Sequence, residues 1–110
     1  MITHLPPEQE CGNTEYKLKI SSDTLENKPK RFEQLKTQMN YRLNEGFGYC
    51  LYVLGVSDKG KIIGLTFEEL KDSESNLYKL IKGNSATLIN KSTISEIEGY
   101  SCCIYIICKY

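Results

Sequence analysis

Residues 31–56 read RFEQLKTQMNYRLNEGFGYCLYVLGV, and this stretch decides the fold. Its first half carries apolar residues at spacings of three and four, which is the pattern of one buried helix face. These apolar residues are Phe32, Leu35, Met39 and Leu43. Two glycines, Gly46 and Gly48, end the predicted helix. The segment from Tyr49 to Val56 is apolar on both faces, which predicts a central strand.

The segments on either side of this stretch add three elements. Residues 15–20 (EYKLKI) alternate apolar and polar, so they predict a first strand. After residue 56, the sequence SDKG predicts a hairpin turn at Gly60 that returns the chain into a strand at residues 61–65 (KIIGL). A capping box at Thr66–Glu69 then begins a second helix.

The second helix presents an apolar stripe of Leu70, Leu77 and Ile81, and it ends at Gly83 and Asn84. Two further strands follow, joined by a turn at Glu98 and Gly99. They read ATLINKSTISEI (86–97) and YSCCIYIICKY (100–110).

The predicted order is therefore β-α-β-β-α-β-β. It indicates an α+β fold of the ferredoxin-like split βαβ type with an added strand, in which both helices cover one face of a mainly antiparallel sheet. We expect one α+β domain over residues 15–110, preceded by an extended arm at residues 1–14. The helix residues Leu35, Met39, Leu70 and Leu77 are expected to pack against Leu51, Val53, Ile63, Ile104 or their neighbours.

Composition narrows the possible functions. The 110 residues include 14 basic and 14 acidic side chains, so counterion release alone is not expected to hold nucleic acid. No apolar run reaches the roughly 20 residues of a membrane span, and the first ten residues lack the features of a signal peptide. These features predict a soluble, cytoplasmic protein with no membrane partner and no obligate homo-oligomer.

The five cysteines are interpreted as core residues, since no CxxC pair occurs among them. Zinc binding by Cys102, Cys103 and Cys108 with Cys11 or His4 is conceivable, but adjacent cysteines of a strand point to opposite faces. We expect no metal and no cofactor. His4 lies in the arm, so no catalytic residue is predicted either.

Residues 55–61 match the GxxxxGK spacing of a phosphate-binding loop. Ile62 then stands where that loop needs Ser or Thr for magnesium, and the following segment is predicted to be a strand rather than a helix. A hairpin turn is therefore the preferred interpretation.

The first helix also has a polar face that suits RNA or a mixed RNA and protein surface. Arginine pairs with phosphates and stacks on bases, and tyrosine adds a ring with a hydroxyl group. A merely solvated helix face is the alternative. The predicted contact residues on this face are Arg31, Gln38, Tyr41 and Arg42. Leu5 of the arm, as an anchor, and Lys59 and Lys61 of the hairpin complete the set.

Four segments together resemble the region that precedes the G domain in the GTP-binding protein 1/2 family. They are LPPE (5–8), GNTEYKLKI (12–20), RFEQLKTQMNYRLNEGFG (31–48) and YVLGVSDKGKIIGL (52–65). The most specific string is TQM-x-YRL-x-EG-x-G at residues 37–48. Cys11 departs from an acidic residue of the family, and Tyr49-Cys50 departs from its Glu-Ala.

Members of this family are translational GTPases related to elongation factor 1A, so the resemblance implies ribosome association. Because no G domain follows Tyr110, the GTPase activity is expected not to carry over. The resemblance thus suggests a microsporidian ribosome dormancy factor: a non-enzymatic protein without bound nucleotide that contacts rRNA and ribosomal proteins. It would silence translation by occupying the tRNA path, at the exit site. Two alternatives stay open, a small nucleotide-binding or enzymatic domain using Gly55–Lys61 and a protein-only adaptor of a translation factor.

Overall fold

A computed structural model of the chain describes residues 3–25 and 27–109. Seven elements follow one another in this part. They are β1 (Thr14–Lys17), α1 (Ser22–Leu25), α2 (Pro29–Glu45), β2 (Tyr49–Leu54), α3 (Phe67–Gly83), β3 (Thr87–Ile97) and β4 (Tyr100–Cys108). Among the described helices, none combines the length and the apolar character that crossing a bilayer would require.

The four strands form one sheet in the order β1-β2-β4-β3. β1 runs parallel to β2, whereas β2 with β4 and β3 with β4 are antiparallel. The α+β class is thereby confirmed. Two long helices and a mainly antiparallel sheet are consistent with the ferredoxin-like split βαβ arrangement.

The central strand predicted at residues 61–65 is not formed, so that part of the prediction is wrong. This segment makes only isolated bridges, between His4 and Lys61, between Val56 and Ile62, and between Leu65 and Ser101. The reason lies in the sheet order: β2 already has β1 on one side and β4 on the other, so neither edge of β2 is available to another strand.

Two strand ends also differ from the prediction. β1 ends at Lys17, and Ile20 instead turns into the core, where its amide bonds to the Ser73 hydroxyl at 3.0 Å. β2 ends at Leu54 because Gly55 adopts a φ of 91°, outside the extended region. The predicted hairpin turn at Glu98 and Gly99 is confirmed, since both residues have positive φ between β3 and β4.

The helix signals are confirmed with one shift of a boundary. α2 begins at Pro29, three residues before the first apolar position, because proline is favoured in the first turn of a helix. In α3 the Thr66 hydroxyl accepts from the Glu69 amide at 3.2 Å, and the Glu69 carboxylate accepts from the Thr66 amide at 3.0 Å. This is the predicted capping box, and the helix ends at Gly83 with Asn84 as its C-cap.

The main core lies between the two long helices and one face of the sheet. Strand residues of that face are Cys50, Tyr52, Leu54, Cys103, Tyr105 and Ile107. Helix residues that pack on them include Leu35, Met39, Leu43, Leu77, Leu80 and Ile81. Side chains alternate along a strand, so the neighbours of the predicted strand positions, and not those positions themselves, meet the helices.

Three of the predicted strand positions lie on the other face of the sheet, and the fourth lies outside it. Val53 and Ile104 belong to a second cluster with Tyr16, Val56 and Cys102, and Leu51 shares their side of β2 by alternation. Ile63 is exposed in the connection between β2 and α3. The helices therefore pack against the neighbours of the strand positions, as the prediction allowed, and not against the four named residues themselves.

Leu77→Ala should lower the free energy of unfolding by about 2–5 kcal/mol, because this fully buried side chain leaves a cavity under α3. Chemical denaturation measures this change. The matched control is Ile63→Ala, which should stay within about 0.5 kcal/mol of the parent. A change of similar size in both variants would contradict this packing.

Candidate functional site

The structure divides the predicted contact residues between two places. One is the edge of α2, which carries Arg31, Gln38, Tyr41 and Arg42. The other is the turn after β2, where Lys59 and Lys61 lie beside Leu5 of the arm. The four residues of α2 differ in how far they are exposed, and Arg42 departs most from the predicted outward orientation.

Arg42 is buried, and the prediction that it faces outward is wrong. Its Nε lies 2.9 Å from Oε1 of Glu15, and each of the two side chains is only 4% exposed. The other guanidinium nitrogens donate to backbone carbonyls of the arm, at 2.8 Å to Gln9 and 2.9 Å to Gly12. A guanidinium held in this way has no free edge for a phosphate.

Tyr41 lies beside Arg42 at the surface, with the Arg42 guanidinium 5.6 Å from the centre of its ring. Its hydroxyl donates to the Glu10 carbonyl at 3.2 Å and lies 3.4 Å from Oε1 of Glu45. One face of the ring remains accessible, since the residue is exposed. Tyr41 thus joins the arm to the helix and still offers a surface to a partner.

The remaining two α2 residues differ in accessibility. Arg31 is exposed, and its Nη1 donates to Oε1 of Gln34 at 3.3 Å. Gln38 is half-buried, and its Oε1 is buried without a hydrogen-bond partner among the described residues. Arg31 and Tyr41 are therefore the accessible pair on this helix edge.

The second place brings together two segments that are far apart in sequence, the arm at Leu5 and the turn that carries Lys59 and Lys61. The Leu5 amide donates to the Gly60 carbonyl at 2.7 Å, and His4 forms a backbone bridge with Lys61. Leu5 packs partly buried on the second apolar cluster of this chain, and its predicted role as an anchor on a partner stays a prediction. Lys59 and Lys61 are exposed next to it. This pairing of arm and turn could not be predicted from local sequence patterns.

The same turn does not have the geometry of a phosphate-binding loop. Ser57 and Lys61 are bridged by their backbones at 3.0 Å, and α3 begins only at Phe67. A phosphate-binding loop needs a helix N-terminus directly after its lysine. The arm also fills the space above Gly60, where an added Cβ would lie 2.1 Å from the Leu5 carbonyl oxygen.

The cysteines remain apart from any metal-binding arrangement in residues 3–25 and 27–109, where no group of three or more candidate ligands is close enough to share an ion. Cys11 is exposed and the other four are buried. Burial raises the pKa of Cys50 to about 12 and that of Cys102 to about 11. These two thiols therefore stay protonated at neutral pH.

Sequence analysis missed the exposed aromatic residues. Phe47 is 93% exposed in the turn between α2 and β2, and Phe67 is 72% exposed at the start of α3. The available signal was the string Gly46-Phe47-Gly48, an aromatic residue between two glycines where a helix ends. Both were treated only as parts of helix boundaries.

Comparison with known proteins shows which of them this chain resembles. No family model matches the chain. GTP-binding protein 2 of mouse and GTP-binding protein 2 of human are each 46% identical to it over 77 residues, which is 70% of this chain. Over these 77 residues the chain is therefore similar to GTP-binding protein 2. It spans only 12% of the length of these two relatives.

The relationship corrects one prediction and removes the support for another. The chain was expected not to be an enzyme, but 70% of it is 46% identical to GTP-binding protein 2, and that expectation is wrong. The expectation that no nucleotide is bound loses its support for the same reason. The geometry of the turn after β2 argues against a phosphate-binding loop at that turn and does not concern the rest of the chain.

Arg42→Met should lower the free energy of unfolding by up to about 3–5 kcal/mol, because it removes the closer cation from the buried Glu15 carboxylate and leaves the more distant Lys17, at 3.7 Å. Chemical denaturation measures the loss. Arg31→Met, at an exposed position of the same helix, is the matched control and should change stability by less than about 0.5 kcal/mol. Equal effects of the two substitutions would show that the buried pair is not formed.

Glu8→Gln should stabilise the protein more at pH 7 than at pH 4. Burial and the nearby Glu15 and Asp58 carboxylates raise the pKa of Glu8 above its ordinary value of 4.5. The folded state then binds the proton more tightly than the unfolded state, so this group's contribution to stability falls as the pH rises above that value. Glutamine does not titrate and can still accept from the Tyr16 amide, which Glu8 now does at 2.5 Å.

Thermal unfolding midpoints at the two pH values test this expectation. Glu96→Gln on the exposed side of β3 serves as the control, and its difference from the parent should be similar at both. A Glu8→Gln difference that does not depend on pH would contradict the assigned cause.

Proposed function

We propose that this protein binds ribosomes and silences translation, as a ribosome dormancy factor of the microsporidian kind, by occupying the tRNA path at the exit site. The observation that carries the proposal is the 46% identity to GTP-binding protein 2, because the resemblance to the GTP-binding protein 1/2 family implies work on translation. The cytoplasm is the compartment that this function requires. rRNA and ribosomal proteins are the proposed partners.

The accessible residues of the predicted set support this proposal. Arg31, Tyr41, Lys59 and Lys61 are exposed on elements whose backbones are held by hydrogen bonds. Two lysines and one arginine on a molecule of zero formal net charge suit a partner that offers both phosphate and protein surfaces. Arg42 is not part of the proposed contact, since it serves the fold.

The shape of the molecule suits occlusion of a passage. Its extents are 35 × 31 × 23 Å, and both long helices pack on one sheet around a continuous core. The arm is fastened to this body from Leu5 to Gly12. A closely packed body of this kind blocks a passage without having to change its shape.

Substitution of Lys59 and Lys61 by glutamate should weaken binding to purified ribosomes by about tenfold or more, because charged hydrogen bonds contribute about 1.5–3 kcal/mol each. Co-sedimentation at several protein concentrations measures the affinity. The binding of the parent should also decrease as salt rises. The matched control replaces Lys71 and Lys79, on the exposed side of α3, by glutamate.

Three results would count against the proposal in different ways. Equal losses in the two double variants would show only general charge attraction. Failure of the parent to sediment with ribosomes would reject ribosome binding and favour an adaptor of another factor. Binding that excess deacylated tRNA does not displace would reject the tRNA path as the site.

The name of the relatives favours a second candidate, GTP binding by this chain. The turn at residues 55–61 does not have the geometry to supply it in the manner of a phosphate-binding loop, so the test uses the whole chain. Isothermal titration calorimetry with GTP should give saturable heats if the chain binds the nucleotide. Heats equal to those of dilution would reject this candidate and leave ribosome binding unaffected.

A further inference from the structure

Phe47 is the most exposed large apolar side chain among the described residues, at 93%. It occupies the turn between α2 and β2, flanked by Gly46 and Gly48. Burial of the ring therefore contributes almost nothing to folding. A solvent-exposed phenylalanine at a tight turn requires another explanation.

Backbone hydrogen bonds hold the turn that carries this ring. The Phe47 amide donates to the Asn44 carbonyl at 3.2 Å, and the Gly48 amide donates to the Leu43 carbonyl at 2.8 Å. The Gly48 carbonyl in turn accepts from the Lys109 amide at 2.7 Å, which ties the turn to the end of β4. Phe47 has a φ of 54°, a conformation in which glycine is preferred over any bulky side chain. Stability would favour glycine here, so the phenylalanine points to binding.

A polar cleft of about 290 Å³ lies next to this turn, and Lys109 is shared by both. Its lining consists of amide, hydroxyl and ammonium groups. The polar residues of the lining are Lys36, Thr37, Asn40, Asn84, Ser85 and Lys109. None of these is acidic, and a cleft with this lining suits a ligand with phosphates and hydrogen-bonding edges.

The described lining of the cleft holds two ammonium groups and no carboxylate, and a carboxylate outside the lining pairs with one of the two. Glu45, at the end of α2, accepts from the Gly12 amide at 3.0 Å and is thus turned toward the arm. Glu33 contacts Lys36 at 3.8 Å but is not among the residues that line the cleft. The last carbonyls of α3 are also occupied, since the Asn84 and Ala86 amides donate to Leu80 and Ile81. The negative end of that helix therefore has few free acceptors to repel a phosphate.

We propose that Phe47 and this cleft, together the Phe47 end, bind single-stranded RNA. An unpaired base stacks on the Phe47 ring, while Lys36 and Lys109 contact the backbone phosphates. A protein pocket for a phenylalanine anchor is desolvated on binding, so polar and charged groups beside the ring would lose water without a matching partner. Here the surround is polar and cationic, which favours RNA. This site is separate from the Lys59 and Lys61 turn and does not depend on ribosome binding.

Titration of the full chain with a ten-nucleotide oligouridine, followed by NMR chemical shifts, tests the proposal. Resonances of residues 46–48, Lys36 and Lys109 should shift together. Phe47→Ala should weaken the affinity by about tenfold, as expected for one lost base stack, and Phe47→Trp should restore it. Phe67→Ala is the matched control, because Phe67 is also exposed and has an ammonium group, that of Lys71, 5.4 Å from its ring.

A second variant, Phe47→Gly, distinguishes misfolding from loss of binding. It should weaken RNA binding while the midpoint of thermal unfolding stays the same or rises. Absence of saturable shifts with oligouridine, or equal losses for Phe47→Ala and Phe67→Ala, would overturn the proposal. A photo-crosslinking residue at position 47 that joins a ribosomal protein, while free RNA does not bind, would also overturn it and identify a protein anchor instead.

Discussion

The structure depends above all on the buried pair between Arg42 of α2 and Glu15 of β1. Both side chains are nearly inaccessible, and their charges meet at 2.9 Å. A buried ion pair adds little net stability compared with an apolar pair, but losing either member is costly. Because each side chain needs the other, the pair fixes which side of α2 faces β1. The same guanidinium fixes Gln9 and Gly12, so one side chain determines the path of the arm.

The path of the arm then determines a second part of the surface. From Gln9 the chain runs back along the sheet edge, where the Glu8 amide bonds to Asp58 and the Leu5 amide bonds to Gly60. The Tyr16 hydroxyl donates to the Pro6 carbonyl at 2.8 Å and holds the proline pair in place. The turn that carries Lys59 and Lys61 thus follows β2 in the chain and is hydrogen-bonded to the arm. Lys59 and Lys61, which are proposed to contact a ribosome, therefore depend on the arm for their position.

Two of the three proposed contact regions, the Phe47 end and the Lys59 turn, lie at opposite ends of β2. The Phe47 end precedes this strand and the Lys59 turn follows it, and six residues of strand span about 20 Å. A rigid body with a contact region at each end suits the proposed site in the tRNA path, where a bound protein meets the ribosome on two sides. The cationic turn and the aromatic, amide-lined cleft differ in chemistry, so each can be tested without disturbing the other.

Local patterns in the sequence determined the elements whose causes are local. The apolar stripe of α2, the Thr66–Glu69 capping box and the Glu98–Gly99 turn each depend on residues a few positions apart, and each was predicted correctly. Only the tertiary structure decided the rest. Residues 61–65 have the composition of a strand but find both edges of β2 occupied, and Arg42 looks like a surface residue until Glu15, 27 positions earlier, is placed beside it. Pairing, burial of charge and exposure of Phe47 depend on distant segments meeting, which no short window of sequence contains.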